Sequence, residues 1–195
     1  MRILLLDNYD SFTHNIIERL RGLNFHDISK RYNDNFDITE ISHFDALILS
    51  PGPGTPREAG CLIPLIAAAY TQIPILGICL GHQAIAEYFG AQLINLHKPF
   101  HGIQSTLNVL DANNPLLAQL HQKSIGRYHS WVVDDQHFPE ILTITATSEE
   151  GHIMALEHRH YPVYGVQFHP ESYMCPEGDT LFTAFLEQAH ARTSR

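Results

Sequence analysis

Pro74-Ile75-Leu76-Gly77-Ile78-Cys79-Leu80-Gly81-His82-Gln83 is the stretch on which the fold turns. An apolar, strand-like run ends at a cysteine set between two glycines and passes at once into a helical pattern. Gly-X-Cys-X-Gly is the thiol counterpart of the serine nucleophile elbow, a sharp strand-to-helix turn that leaves the reacting side chain exposed above a sheet. A β-carbon on either flank would collide with neighbouring backbone in so tight a turn, so glycines are required there. The following helix aims free N–H groups and the positive end of its dipole at the sulfur, which favours thiolate. Cys79 is therefore the candidate nucleophile, although these five residues alone suit a buried structural cysteine equally well.

Outward toward the N-terminus, strands and helices alternate. Ile3-Leu4-Leu5-Leu6 reads as a strand buried on both faces, followed by the turn and cap residues Asp7-Asn8-Tyr9-Asp10-Ser11. A helix is expected from Asp10 or Ser11 to Gly22, with Phe12, Ile16, Ile17, Leu20 and Leu23 at helical spacing. A strand over residues 25–32 and a clearer one over 45–49 follow. The second leads into Ser50-Pro51-Gly52-Pro53-Gly54-Thr55-Pro56, a loop stiffened by prolines and opened by glycines, whose backbone N–H groups can face a ligand at little ordering cost. An ordinary strand-to-helix turn would read the same way. A helix over about residues 58–70 returns the chain to the strand 73–78, and the helix after Cys79 stops at Gly90. Such alternation implies right-handed crossovers and a parallel sheet covered by helices on both faces, with ligands at the carboxyl ends of the strands.

The pattern changes after Gly90. Residues 91–96, 104–110, 123–133, 141–147 and 152–158 are strand-like, with β-branched residues and turns between them. Only residues 114–120 look helical in that half. The expectation is an α/β fold with an open mixed, mostly parallel central sheet and an antiparallel extension. The strand 163–168 leads into His169-Pro170-Glu171-Ser172, and a last helix covers about residues 178–190. No linker, repeat or low-complexity stretch interrupts residues 1–195, which are read as one domain.

Composition narrows the function. Hydrophobic residues make up 44% and charged residues 17% of 195, so a packed core is expected, and no apolar run approaches the ~20 residues of a membrane span. The opening apolar run is cut short by Asp7 and does not read as a secretory signal, pointing to the cytoplasm. A formal charge of −9 argues against a nucleic-acid partner. The 14 histidines show no zinc-ligand spacing, and Cys61, Cys79 and Cys175 form neither a CxxC motif nor a disulfide framework. No metal site is expected.

A thiol nucleophile needs a base, and the base an orienting group. In His-Pro-Glu the proline holds the preceding residue in extended geometry, and residues two apart on an extended segment point the same way. Glu171 could then accept a hydrogen bond from one nitrogen of His169 while the other faces Cys79. A solvated surface pair is the alternative reading.

Taken together, the stretches Asp7-Asn8-Tyr9-Asp10-Ser11-Phe12, Ser50 to Pro56, Gly77 to Gln83, Arg127-Tyr128-His129-Ser130 and Gly165 to Ser172 resemble the class I (triad) glutamine amidotransferases, among them the small subunits of anthranilate synthase and aminodeoxychorismate synthase. They span nearly the whole chain in the family order. The resemblance implies a flavodoxin-like glutamine amidotransferase fold and a Cys79, His169, Glu171 triad that converts glutamine to glutamate and ammonia through a γ-glutamyl thioester. It implies an oxyanion hole from the N–H groups of Gly52 and Leu80, and glutamine contacts at Gly52, Pro53, Gly54, Gln83, Ser130 and Trp131. Trp131 replaces the commoner leucine, and a backbone contact there would survive the change. Cys175 stands where many relatives carry a residue such as threonine. No cofactor is implied for this half-reaction; magnesium would belong to the partner.

The implied function is the glutaminase subunit of anthranilate synthase in tryptophan biosynthesis. The implied partner is a separate chorismate-using synthase subunit, component I, since 195 residues hold no chorismate module. Service to aminodeoxychorismate synthase in folate biosynthesis, or to both, is the alternative. The readings from other classes are a cysteine peptidase or related hydrolase and an inert regulatory subunit.

Overall fold

The computed structural model describes residues 1–136 and 138–193. In chain order its elements are β1 (Ile3–Asp7), α1 (Thr13–Gly22), β2 (Ile28–Tyr32), β3 (Ala46–Leu49), α2 (Leu62–Ala69), β4 (Ile75–Ile78), α3 (Leu80–Tyr88), β5 (Leu93–Asn95), β6 (Ile103–Thr106), β7 (Asn108–Val109), β8 (Ser124–Arg127), β9 (Trp131–Val133), β10 (Leu142–Thr147), β11 (Ile153–His158), β12 (Val163–Val166) and α4 (Gly178–Thr193). An eight-stranded sheet runs β2-β1-β3-β4-β12-β11-β10-β7. Its first five strands are parallel, and the strands beyond β12 are antiparallel. The parallel part has the order of a flavodoxin-like sheet, as expected.

Alternation along the buried strands sorts the core into two layers. Ile3, Leu5, Ile48 and Leu76 meet Ile16 and Leu20 of α1 and Phe182 and Phe185 of α4. Leu4, Leu6, Leu47, Leu49 and Ile75 meet Leu65 and Ile66 of α2 and Ala84 and Ile85 of α3 on the other face. Every residue of β1, β3 and β4 is buried, which explains their uninterrupted apolar sequences. No described helix is long and apolar enough to cross a membrane.

Several expected elements are shorter than their sequence patterns. Helix α1 starts only at Thr13, because Asp10 and Asp7 first close a turn, their carboxylates accepting from Phe12 N and from Asp10 N and Thr13 Oγ1. The strand expected over 25–32 is confined to β2, since Asn24 takes φ 67° and the Ile28 N–H closes on the His26 carbonyl. The helix expected over 58–70 is broken. A 3₁₀ turn at Pro56–Glu58 is capped by Thr55 and Glu58, and α2 begins only after Gly60, whose φ of 54° ends any helical continuation. Residues 114–120 yield only a 3₁₀ turn at Ala118–Leu120, because the Asn114 side chain accepts from the N–H groups of Leu116 and Leu117. In the second half, β5 pairs with β9 and β6 with β8 as two separate ribbons, while β7, β10 and β11 extend the main sheet. The segment 128–131 between β8 and the start of β9 lies beside Cys79, lining the same cavity.

Candidate active site

The register between β4 and β12 assembles the site. Val166 pairs with Ile78, and the Cys79 N–H donates to the Val166 carbonyl at 2.8 Å, so Cys79 and Gln167 emerge side by side at the carboxyl edge. Cys79 itself has φ 51° and ψ −99°, a conformation that L-residues avoid. Strain of this kind costs of order 1–3 kcal/mol and persists where the surroundings enforce it. The surroundings here are Gly77 and Gly81. A β-carbon on Gly77 would come within 2.5 Å of the Gly81 backbone, and one on Gly81 within 2.7 Å of the Leu49 carbonyl oxygen.

Beyond Gln167, the His169 N–H donates to the Gly126 carbonyl at 3.0 Å and the chain turns, with the Ser172 N–H closing on the His169 carbonyl at 3.2 Å. Pro170 and Glu171 thus occupy the corner of a turn. The expected extended geometry is absent, yet the expected pair forms: His169 Nδ1 and Glu171 Oε1 are 2.7 Å apart, both side chains sealed from solvent. Two rings wall the imidazole, Phe12 at 5.3 Å and Tyr128 at 4.9 Å between centroids. Burial alone would depress the His169 imidazolium. The Glu171 carboxylate, followed by the Cys79 sulfur, outweighs it and raises His169 well above the usual imidazole range. His169 Nε2 makes no hydrogen bond within the protein. That nitrogen is the one left to exchange a proton with the thiol.

In front of Cys79 lies a cavity of about 210 Å³ lined by Gly52, Pro53, Gly54, Cys79, Gln83, Tyr128, His129, Ser130 and Trp131. This is smaller than the roughly 300–1,000 Å³ of drug-sized sites and suits an amino acid. A larger, apolar cavity of about 590 Å³ lies at the opposite edge of the sheet, where Asn24–Asp27 meet the end of α4, and no thiol or hydroxyl lines it. The smaller cavity is the one next to the chemistry.

The structure therefore gathers Cys79, Gly52, Pro53, Gly54, Gln83, Ser130 and Trp131 around one cavity, with His169 and Glu171 behind Cys79. Leu80 contributes no side chain to the cavity wall; it packs against Gly52, where a β-carbon would stand 2.8 Å from Leu80 Cδ2 and 2.7 Å from the Asn8 carbonyl. The proline-glycine loop is fastened from below: Asn8 N donates to Ser50 Oγ and Asn8 Nδ2 to the Ser50 carbonyl, both at 2.8 Å. Cys175 is fully buried and its thiol is pushed up to about 12 by burial, which makes it inert at neutral pH. Among the described residues no group of three His, Cys, Asp or Glu side chains could hold a metal ion.

Sequence reasoning assigned no task to Tyr128, His129 and Gln167. His129 is buried and neutral, its Nδ1–H donating to the Trp131 carbonyl at 3.1 Å while Nε2 accepts from Arg127 Nε at 3.2 Å. Burial first, then the adjacent Arg127 charge, push His129 down to about 3; burial pushes His82 down to about 4. Both groups refuse protons in the folded state that the unfolded chain accepts below about pH 6.5. Stability should accordingly fall with acidification, by about 4 kcal/mol from these two residues between pH 7 and pH 5. Urea denaturation at the two pH values measures this, and equal stability at both would show the two imidazoles to be solvated.

Comparison with known proteins agrees with this geometry. An aminodeoxychorismate synthase component 2 from Klebsiella aerogenes is 41% identical over 194 residues, covering 95% of this chain and 100% of the relative. An anthranilate synthase component 2 from Thermus thermophilus is 40% identical over 197 residues, covering 98% and 95%. Among solved structures, a candidate GMP synthase glutaminase-type chain from Thermoplasma acidophilum superposes with a TM-score of 0.85 at 26% identity, covering 100% of this chain and 96% of that one. Residues 4–189 match the sequence model of the class-I glutamine amidotransferases, and the chain belongs to that family.

Proposed function

We propose that this chain is a glutaminase subunit that hydrolyses L-glutamine and hands ammonia to a separate chorismate-using synthase subunit. Component I of anthranilate synthase is the first partner and component I of aminodeoxychorismate synthase the second. The observation that carries the reading is a strained, cavity-lining Cys79 backed by the buried His169–Glu171 pair. Relatives of nearly equal identity bear either synthase's name, which supports keeping both partners.

The chemistry runs on these groups. Cys79 gives its proton to His169 Nε2, and the sulfur attacks the side-chain carbonyl carbon of glutamine. The resulting oxyanion is met by the N–H groups of Gly52 and Leu80, which gain most when charge develops. His169 returns the proton to the departing nitrogen and ammonia leaves, with a γ-glutamyl thioester on Cys79. Water then gives a proton to His169 as it attacks the thioester, and the sulfur leaves as thiolate with glutamate released. No cofactor enters these steps; magnesium, where chorismate chemistry needs it, sits in the partner. Three unpaired cysteines, one of them the nucleophile, suit the reducing cytoplasm.

Assay with each component I decides the partner. Glutamine-dependent anthranilate formation supports the first reading and aminodeoxychorismate the second. Ammonia-dependent synthesis with no glutamine-dependent product from either overturns both, and peptide cleavage without glutaminase would place the chain among cysteine hydrolases.

Gly52→Ala tests the oxyanion donor. The added methyl would meet Asn8 Cβ at 2.6 Å and Leu80 Cδ2 at 2.8 Å, forcing the loop and its N–H away from the sulfur. Turnover of glutamine should fall about 10²-fold, the usual loss for one oxyanion donor. Unchanged turnover would remove Gly52 from the oxyanion hole.

A further inference from the structure

The amide of Gln167 is fully buried, and its hydrogen bonds form a directed relay that ends on the nucleophile. Gln83 Nε2 donates to the Trp131 carbonyl at 3.0 Å and to Gln167 Oε1 at 3.0 Å, and Gln167 Nε2 lies 3.5 Å from Cys79 Sγ. The direction is fixed by the far end. A backbone carbonyl only accepts, so Gln83 must turn its NH₂ toward Trp131. That NH₂ also faces Gln167, which must answer with its oxygen. The group left to face the sulfur is the Gln167 NH₂, a donor.

Two consequences follow for the chemistry proposed above, on which this inference rests. A donor aimed at sulfur favours the thiolate over the thiol, because hydrogen bonding to the charged form stabilises it. Gln83, with both N–H bonds committed, has only its carbonyl oxygen to offer a ligand. That oxygen can accept from the NH₂ of a carboxamide or from an ammonium, and it repels a carboxylate. The Trp131 carbonyl is likewise filled, since it also accepts from His129 Nδ1. Trp131 therefore meets a ligand through groups other than that carbonyl.

We propose that Gln167 holds the Cys79 sulfur as its hydrogen-bond donor and, through the same amide, sets the direction in which Gln83 presents itself to glutamine. Register explains the placement: β12 delivers Gln167 one step beyond the Val166–Ile78 pair, beside Cys79. The charged and titratable groups around the sulfur are His169 and Glu171 from the turn after β12, His129 from the segment before β9 and His82 from α3.

Two variants separate the roles. Gln167→Glu keeps an oxygen for Gln83 and loses the donor to sulfur; Gln167→Met loses both. Iodoacetamide alkylation of Cys79, followed against pH without glutamine, should show its midpoint moved upward by about one pH unit in both. KM for glutamine should rise about tenfold in Gln167→Met and stay within about threefold in Gln167→Glu. Alkylation needs no glutaminase activity, so it tests Gln167 even if the assigned reaction is wrong. An unmoved midpoint in either folded variant overturns the proposal. In the unsubstituted protein, the side-chain amide resonances of Gln167 and Gln83 should titrate with the alkylation midpoint and lose that transition in Cys79→Ala. Resonances that ignore the Cys79 transition would also overturn it.

Discussion

Replacement of Cys79 by alanine is expected to abolish glutamine-dependent amination while leaving ammonia-dependent synthesis by the assembled complex intact. Loss of the nucleophile from a triad of this kind costs at least about 10⁴-fold in turnover, because the remaining groups have nothing to activate. No other thiol can stand in. Cys175 is sealed and pushed up to about 12, and burial also raises the thiol of Cys61, which does not line the cavity. Cys79→Ser should be equally silent, since a hydroxyl is far less acidic than a thiol. The backbone supplies an independent check: at φ 51° a β-carbon is strained, so Cys79→Gly should melt no lower than the parent although it is inactive. Measurement of glutaminase, ammonia-dependent product and complex formation on the same preparations separates these effects. Glutaminase persisting in Cys79→Ala would sink the nucleophile assignment.

The first half of the fold was legible because its strands are buried on both faces. Ile3 to Leu6 and Ala46 to Leu49 carry no polar residue at all, and nothing but a covered parallel sheet accommodates such runs. Element ends were less legible because single side chains decide them against periodicity. Asn114 satisfies two N–H groups that a helix would otherwise begin with, and Gly60 adopts a φ that no helical residue has. The strands after Gly90 were recognisable one by one, but their grouping was not. Short β-branched segments such as β5 and β6 carry no local mark of which partner they will pair with, and they form ribbons apart from the main sheet.

Much the same division holds for the site. Cys79 announces itself through the flanking glycines, whose need is purely local. His169 and Glu171 were paired by an argument from extended backbone, while the observed pair sits on a turn; two residues' separation brings them together in either geometry. Gln167 was harder to read. A glutamine in the otherwise apolar run 163–168 is a signal, because a buried amide needs partners, but the partners lie on α3, on β9 and at Cys79 itself. His129 posed the same difficulty, its neutral state depending on Arg127 and the Trp131 carbonyl together.

Glu171→Gln is expected to lower turnover of glutamine about 10³-fold with little change in KM, since Glu171 does not line the cavity. Burial works against a charged imidazole at position 169, and the Glu171 carboxylate is the foremost influence opposing it. A neutral amide removes that influence while leaving a side chain of nearly the same shape. His169 then holds less proton at neutral pH, and the departing nitrogen of glutamine leaves without it. Residual activity should peak at lower pH than in the parent, because protonating the imidazole now requires more acid. Stability carries the same sign. A histidine raised in the folded state adds stability that is fully present below its unfolded value, near pH 6.5, and is lost as pH rises through the raised folded value. The deficit of Glu171→Gln in urea denaturation should therefore be largest near pH 6 and shrink in alkali. Kinetics from pH 5 to 9 with denaturation at both ends tests the two together. Turnover within tenfold of the parent, with an unmoved optimum, would reduce Glu171 to a packing residue and leave His169 to be held by the rings of Phe12 and Tyr128 alone.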